Sequence, residues 1–208
     1  MKKGILITFE GIDASGKTTQ ARKAVRYLRE KGFDVLFLRE PGGEPVSERI
    51  RKILLKSQSS VTPTTELMLY LASRSQLVEK KIIPALKSKK LVICDRFFDS
   101  TLAYQGFGRA LDRKWIKDLN RKSTFGVKPD LTLLIDVPLE VYLKRAKLKK
   151  NKDRLEKENL AFYRRIRRGY LEIAKQDKKR VKVIDGSGTI SQTWAKVKEL
   201  ADKYSGID

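Results

Sequence analysis

The chain contains no histidine and a single cysteine, Cys94. The first absence excludes imidazole acid–base catalysis and histidine-ligated zinc; the second excludes an internal disulfide and a multi-cysteine metal site. Cys94 ends the apolar run Leu91-Val92-Ile93-Cys94, which reads as a strand with a buried thiol rather than a nucleophile. Any chemistry must therefore run on carboxylates, lysines, arginines and a hard metal. No run of about 18 apolar residues is present, which excludes a membrane-spanning helix. Met1-Lys2-Lys3 leads straight into a short strand rather than a signal sequence, so a soluble, cytoplasmic protein with no membrane partner is expected. Linker-like stretches rich in proline, glycine or serine are also missing, and one domain, 1–208, is expected.

Acidic side chains are scarce beside basic ones, 25 against 47, for a formal charge of +22. Such a balance suits either a nucleic-acid-binding protein or an enzyme for highly anionic small molecules, and charge by itself does not choose between them. With asparagine occurring only three times, the abundance of charged residues also fits a heat-adapted chain.

What the sequence does hold is Gly11-Ile12-Asp13-Ala14-Ser15-Gly16-Lys17-Thr18, which fits the phosphate-loop pattern G-x-x-x-x-G-K-[ST] and follows the apolar run Ile5-Leu6-Ile7-Thr8-Phe9. Consecutive backbone N–H groups can wrap a triphosphate only where side chains do not block the approach, so Gly11 and Gly16 belong where the chain curls tightest. Lys17 brings a point charge to the β and γ oxygens, and the Thr18 hydroxyl can hold a Mg²⁺ that bridges them. Ala21, Ala24, Val25 and Leu28 recur at helical spacing before Gly32, predicting a helix whose positive end faces the anion. Gly11 to Thr18 is thus the expected ATP cradle.

Apolar runs at Lys3–Phe9, Asp34–Leu38, Leu91–Cys94, Leu131–Ile135 and Val181–Ile184 alternate with helical periodicity. Five such strands predict a parallel sheet covered on both faces, and strands this apolar are expected to be central. Thr62-Pro63 reads as an N-cap followed by proline at the first helical position, opening a segment that runs toward a kink or end near Pro84. In a doubly wound sheet ligands sit beyond the carboxyl ends of the strands, so the loops after Phe9, Leu38, Cys94 and Ile135 should face one crevice. Asp95, directly after an apolar strand, is the expected second contributor to the Mg²⁺ shell. Twelve basic residues lie between Tyr142 and Arg168, opposed only by Asp153, Glu156 and Glu158. Most read as a solvated helix face; some are placed to close over the γ-phosphate.

The crevice loops offer Arg39, Arg51, Arg74 and Arg96, more cations than one triphosphate requires, and a second anion fits that surplus. A kinase acting on a phosphate needs cations on both sides of the transferred group and no general base, because its acceptor is already ionised. The chemistry favours a nucleoside monophosphate kinase.

At this point Phe9-Glu10-Gly11-Ile12-Asp13 through Gln20, Arg39-Glu40-Pro41-Gly42-Gly43, Ala72-Ser73-Arg74, Asp95-Arg96-Phe97 and Tyr104-Gln105-Gly106 together resemble the thymidylate kinase family, up to about Ala174. The resemblance implies a three-layer α/β/α phosphate-loop fold with a five-stranded parallel sheet and a helical lid at about 142–158. It implies ATP and Mg²⁺, dTMP as acceptor and dTDP as product, a place in dTTP synthesis, and a homodimer. Lys17, Arg96 and Asp13 take catalytic positions, with Asp13 receiving the sugar 3′-hydroxyl. Glu40 lies near the acceptor and the metal, and Thr18 and Asp95 serve the metal. By the same resemblance Tyr70 is expected to stack on thymine, Arg74 to contact the base, and Arg51 and Arg96 to hold the monophosphate. Ser100, Thr101 and Gln105 surround the base, while Tyr104 crowds the 2′ side and favours deoxyribose.

Ala14 stands where one branch of the family carries an arginine, which implies the branch that draws cations from its lid. Lys149, Arg145 and Arg154, in that order, are the candidates for the transferred group, although Lys147, Lys149, Lys150 and Lys152 occupy positions where lid arginines are usual. Phe97 stands where tyrosine is common. The rivals are a kinase of another nucleotide, such as dUMP, and a phosphate-loop ATPase that binds nucleic acid. No nucleic-acid motif is evident, and no specific nucleic-acid partner is expected.

Overall fold

The computed structural model describes residues 4–56, 60–148, 151 and 153–205. Its five strands are β1 (Ile5–Glu10), β2 (Val35–Arg39), β3 (Leu91–Asp95), β4 (Leu131–Asp136) and β5 (Val181–Asp185). All pair in parallel, in the order β2-β3-β1-β4-β5. The expected start of the first strand at Lys3 lies outside the described residues. Each strand runs one residue past its expected end and stops on a charged side chain: Glu10, Arg39, Asp95, Asp136 and Asp185. Burial rewards the apolar stretch, and the carboxyl rim is where the chain can first expose or pair a charge. That rim carries the site.

The expectation that all five strands are central is corrected, because β2 and β5 form the sheet edges. Their solvent side shows it: Leu36 and Phe37 are half-buried and Val183 is exposed. Side chains of the inner strands alternate between two cores. Ile7, Phe9, Leu91, Ile93, Leu131, Leu133 and Ile135 pack against α1 (Lys17–Glu30) and α9 (Ile190–Ser205). Leu6, Val92 and Cys94 face the other layer.

Helix α1 buries Ala21, Ala24, Val25 and Leu28 as its spacing predicts. Gly32, at φ +86°, stops it by donating to Arg29 O while Phe33 N reaches Leu28 O. On the opposite layer α2 (Pro45–Leu55) is capped by the Glu44 carboxylate. Helix α3 (Pro63–Leu77) opens on the expected proline, although the Thr62 hydroxyl meets Thr65 Oγ1 instead of capping a backbone N–H. It continues through a wider π-helical turn, Val78–Ile82, into α4 (Ile83–Lys87). That turn accommodates Pro84, which has no N–H to give and whose ring crowds the carbonyl one turn back. After β3 come α5 (Phe98–Thr101), a second π-helical stretch (Leu102–Gly108) and α6 (Arg113–Ser123). The layer is completed by α7 (Leu139–Lys147) and α8 (Leu160–Gln176). Helix α8 approaches the 102–108 stretch so closely that a Cβ at Gly169 would sit 2.7 Å from the Phe107 ring.

Candidate active site

The loop between β1 and α1 meets its conformational demands with small residues. Gly11 has φ +141°, and a Cβ there would lie 2.4 Å from Ile135 O; Gly16 has φ +93° and caps α1. Ala14 also takes a left-handed conformation, at φ +56°. Lys17 is buried, with Nζ 3.5 Å from Ile12 O and 3.8 Å from Asp13 Oδ1. Both contacts are long for a charged donor, so the ammonium keeps most of its bonding capacity for an anion. Burial and the neighbouring Arg96 charge lower its pKa, which sharpens its demand for a negative partner.

Thr18 Oγ1 donates to Asp95 Oδ2 at 2.5 Å, and Asp95 Oδ1 is buried with no hydrogen-bond partner. A hydroxyl and a carboxylate with an unused oxygen form an all-oxygen donor pair that suits a hard divalent cation such as Mg²⁺. Among the described residues no cluster of three or more metal-binding side chains occurs, so the remaining ligands of such an ion would be phosphate oxygens and water.

Arg96 sits at the centre of the rim. Its φ of +72° is unusual for a residue bearing a Cβ and turns the side chain back over the phosphate loop. Nη2 donates to Asp13 Oδ1 at 2.6 Å and Tyr104 OH at 3.2 Å; Nη1 donates to Gly11 O at 3.0 Å and to Ser100 Oγ and Tyr170 OH at 3.2 Å. Burial opposes charging Asp13, but Arg96 and Lys17, with hydroxyl donors from Tyr104 and Tyr163, outweigh it and hold the carboxyl well below its ordinary range. Beneath Arg96, buried Glu10 accepts from Phe97 N, Ser100 Oγ and Tyr170 OH. Burial, reinforced by Asp99, pushes its pKa up to about 7.

Two cavities flank Asp13 and Arg96. The larger, about 420 Å³, is walled by Lys17, Thr18 and Asp95 together with Arg39, Arg145 and Glu156. The smaller, about 90 Å³, is walled by Tyr70, Ser100, Thr101, Tyr104 and Gln105. Asp13, Glu40, Arg51, Arg96 and Asp153 belong to both walls. Thr101 Oγ1 and Glu40 Oε1 are buried without hydrogen-bond partners, so polar capacity is left over at this junction. Arg51 Nη1 is tied to Pro41 O at 2.8 Å.

The structure does not bring every expected residue to a wall. Arg74 lines neither cavity: it is almost wholly buried, clamping Glu40 Oε2 through Nε at 2.8 Å and Nη2 at 2.6 Å, with Nη1 on Asn120 Oδ1. Here its guanidinium is held on Glu40, since a buried carboxylate draws the nearest guanidinium to itself. Arg154 likewise turns away from the phosphate loop, bonding Leu54 O at 2.9 Å and pairing with Glu66 at 2.6 Å. Arg145 does reach the larger cavity, but spends its donors on the carbonyls of Ser15 and Gly186. Lys149, with Lys150 and Lys152, lies outside the described residues. From the 142–158 segment Tyr142, Arg145, Ala146, Asp153 and Glu156 wall the larger cavity, a mixed rather than purely cationic set. Sequence reasoning assigns no role to Glu10, Glu66, Tyr163 or Tyr170; the two tyrosines lie two turns apart on α8 and read as ordinary core, and their hydroxyls declare a role only once α8 is docked.

The thymidylate kinase family profile matches residues 9–197. The thymidylate kinase of Kosmotoga olearia is 50% identical over 188 residues, covering 90% of each chain. That of Geotalea daltonii is 48% identical over 198 residues, covering 91% of this chain and 92% of its own. The chain belongs to the thymidylate kinase family. Its fold is that of the family as well: the crystal structure of thymidylate kinase from Ehrlichia chaffeensis superposes with a TM-score of 0.76 at 37% identity, over 95% of this chain and 98% of that one. Membership makes the protein an enzyme that phosphorylates dTMP to dTDP with ATP as co-substrate.

Proposed function

We propose that the larger cavity takes the ATP phosphates and the smaller the dTMP acceptor, with transfer across the Asp13–Arg96 junction. The observation that carries this reading is the shared wall: two anion-sized spaces, one floored by the phosphate loop and one lined by an aromatic ring and amide and hydroxyl groups, meet at Arg51 and Arg96. An oxygen of the dTMP phosphate attacks the γ-phosphorus, the bond to the β,γ-bridging oxygen breaks, and ADP leaves with that electron pair. Lys17 neutralises the β and γ oxygens, Arg96 and Arg51 hold the acceptor phosphate against repulsion, and Asp13 both orients Arg96 and accepts from the sugar hydroxyl. No proton need be removed from the acceptor, which accords with the lack of histidine. Thr18 and Asp95 would hold Mg²⁺, which supplies charge neutralisation at the β,γ-phosphates. Tyr70 offers its ring face to the base, Ser100, Thr101 and Gln105 offer polar edges, and Tyr104 narrows the sugar side. The 142–158 segment serves as the lid, with Arg145 and Lys149 as its cations toward ATP.

A homodimer is supported by an outward apolar stripe. Val46 and Ile53 lie two turns apart on α2 and are 44% and 51% exposed; Met68, 41% exposed, stands one turn before exposed Ala72 on the neighbouring α3. Sedimentation equilibrium tests it, with a mass of twice 23.9 kDa expected. Among the described residues no helix is long and apolar enough to cross a membrane, and we place the enzyme in the cytoplasm, in dTTP synthesis. The function itself is tested by a panel of nucleoside monophosphates with ATP, read by ADP formation: dTMP is the expected preferred acceptor, and equal or greater turnover of another monophosphate overturns the assignment.

A further inference from the structure

Glu66, in the first turn of α3, is fully buried and itself lines neither cavity. It gathers instead three side chains from two distant parts of the chain. Gln105 Nε2 donates to Oε1 at 2.7 Å. Arg109 donates through Nε at 3.2 Å and Nη2 at 3.1 Å. Arg154 of the lid pairs with Oε2 at 2.6 Å. Burial disfavours the charge, but hydrogen bonds from Arg109 and Gln105 and the charges of Arg109 and Arg154 together outweigh it and lower the pKa. At neutral pH the carboxylate is ionised and can only accept hydrogen bonds.

That restriction decides which way the Gln105 amide lies. An amide facing a carboxylate must present its NH₂ end, because its oxygen would confront a second negative oxygen at hydrogen-bond distance. The main chain cannot compensate by shifting: Gln105 stands in the π-helical stretch and its carbonyl accepts from Leu111 N at 3.1 Å. With the nitrogen committed to Glu66, the carboxamide oxygen is the end left for the acceptor cavity, whose wall Gln105 shares with Tyr70, Thr101 and Tyr104.

We propose that Glu66 is a positioning residue for base selection: by clamping Gln105 it presents an acceptor oxygen to the cavity, favouring a pyrimidine that carries N3–H, thymine or uracil, over cytosine, whose N3 is itself an acceptor. The inference rests on the smaller cavity being the monophosphate site. Cytosine there sets two lone pairs against each other, the kind of mismatch that a site built around a hydrogen bond rejects strongly. The same carboxylate anchors the lid. Arg154 lies between Asp153 and Leu155, both on the acceptor wall, and Arg109 also holds Glu158 at 2.5 Å. Base reading and lid seating thus share one buried charge.

The test compares kcat/KM for dTMP, dUMP and dCMP with saturating ATP in the full-length wild type, Glu66→Gln, Glu66→Asp, Gln105→Met and the Glu66→Gln/Gln105→Met double variant. Glu66→Gln lets the Gln105 amide face either way, and the dTMP:dCMP ratio is expected to fall at least about tenfold with KM for ATP unchanged. Glu66→Asp keeps an acceptor-only partner and should hold most of the ratio even if its Tm drops. Gln105→Met should lose the ratio to the same extent as Glu66→Gln, and the double variant should lose no more. An unchanged ratio in folded Glu66→Gln, equal loss in Glu66→Asp, or full discrimination by Gln105→Met overturns the inference; the last two comparisons decide it if Glu66→Gln does not fold. A wild type that fails to phosphorylate dTMP would sink the functional reading itself, whereas normal dTMP turnover with an unmoved ratio sinks only the role of Glu66.

Discussion

Replacing Arg74 with methionine separates two accounts of the same residue. In the structure its guanidinium is 1% exposed and grips a Glu40 carboxylate that is 4% exposed, through two nitrogens on one oxygen. Removing the cation leaves a buried carboxylate uncompensated and strips Asn120 Oδ1 of its donor, a change that costs about 3–5 kcal/mol when a buried pair is broken from one side. For a chain of this size that lowers Tm by roughly 10 °C. Replacing both partners removes the stranded charge, so Glu40→Gln/Arg74→Met should recover at least about 2 kcal/mol of the loss. A sign follows for pH as well. Burial raises the Glu40 pKa even with Arg74 in place, so without Arg74 the folded state binds the proton more tightly still. Arg74→Met should therefore lose less stability at pH 5 than at pH 8. Urea unfolding of the wild type, both single variants and the double variant at the two pH values measures every term. An Arg74→Met protein within about 0.5 kcal/mol of wild type, with only KM for dTMP raised, would refute this account and return Arg74 to a base-contacting position.

Three further outcomes follow from the same geometry. Lys17→Ala should reduce kcat by at least about a hundredfold while leaving dTMP affinity intact, measured by steady-state kinetics and calorimetric titration; undiminished turnover contradicts the placement of the triphosphate. Glu10 has its pKa raised from 4.5 to about 7 by burial and Asp99, so the stability it contributes as a neutral acid is complete below about pH 4.5 and is lost as pH rises through 7, amounting to about 3 kcal/mol. Relative to Glu10→Gln, the wild type should lose that amount between pH 4.5 and 8 in urea titrations, and parallel pH profiles for the two proteins speak against it. Phe125, 53% exposed, holds a left-handed φ of +52° after α6, so Phe125→Gly should stabilise by about 1 kcal/mol; a fall in Tm would show the ring to be anchored.

The fold was legible wherever chemistry is local. The phosphate loop, the stop at Gly32, the helix start at Pro63 and the five apolar runs each carry their instruction within a few residues, and among the described residues each appears within a residue of where the sequence places it. The strand order did not: apolar content made β2 and β5 look like β1 and β3, because an edge strand covered on both faces by helices needs nearly as much hydrophobic surface as a central one. At the site, the side-chain directions of Thr18, Asp95 and Arg96, which meet beside the phosphate loop, were legible from motif and position. Arg74 and Arg154 were not, because the direction of a long side chain depends on which carboxylate the tertiary fold buries nearby, here Glu40 and Glu66. Tyr163 and Tyr170 carried no local signal at all. A tyrosine at helical spacing is core by default, and only the docking of α8 against the 102–108 stretch sets these hydroxyls on Asp13 and Glu10.

On the proposed function, the two cavities meeting at Asp13 and Arg96 are the donor and acceptor halves of one phosphoryl-transfer site. A crystal structure of the protein with dTMP and a non-hydrolysable ATP analogue tests it most directly. The account predicts the triphosphate on the Gly11–Thr18 loop and the dTMP phosphate on Arg96 and Arg51, in line with the γ-phosphorus. A monophosphate bound away from Arg96, or on the same side as the adenosine, contradicts it.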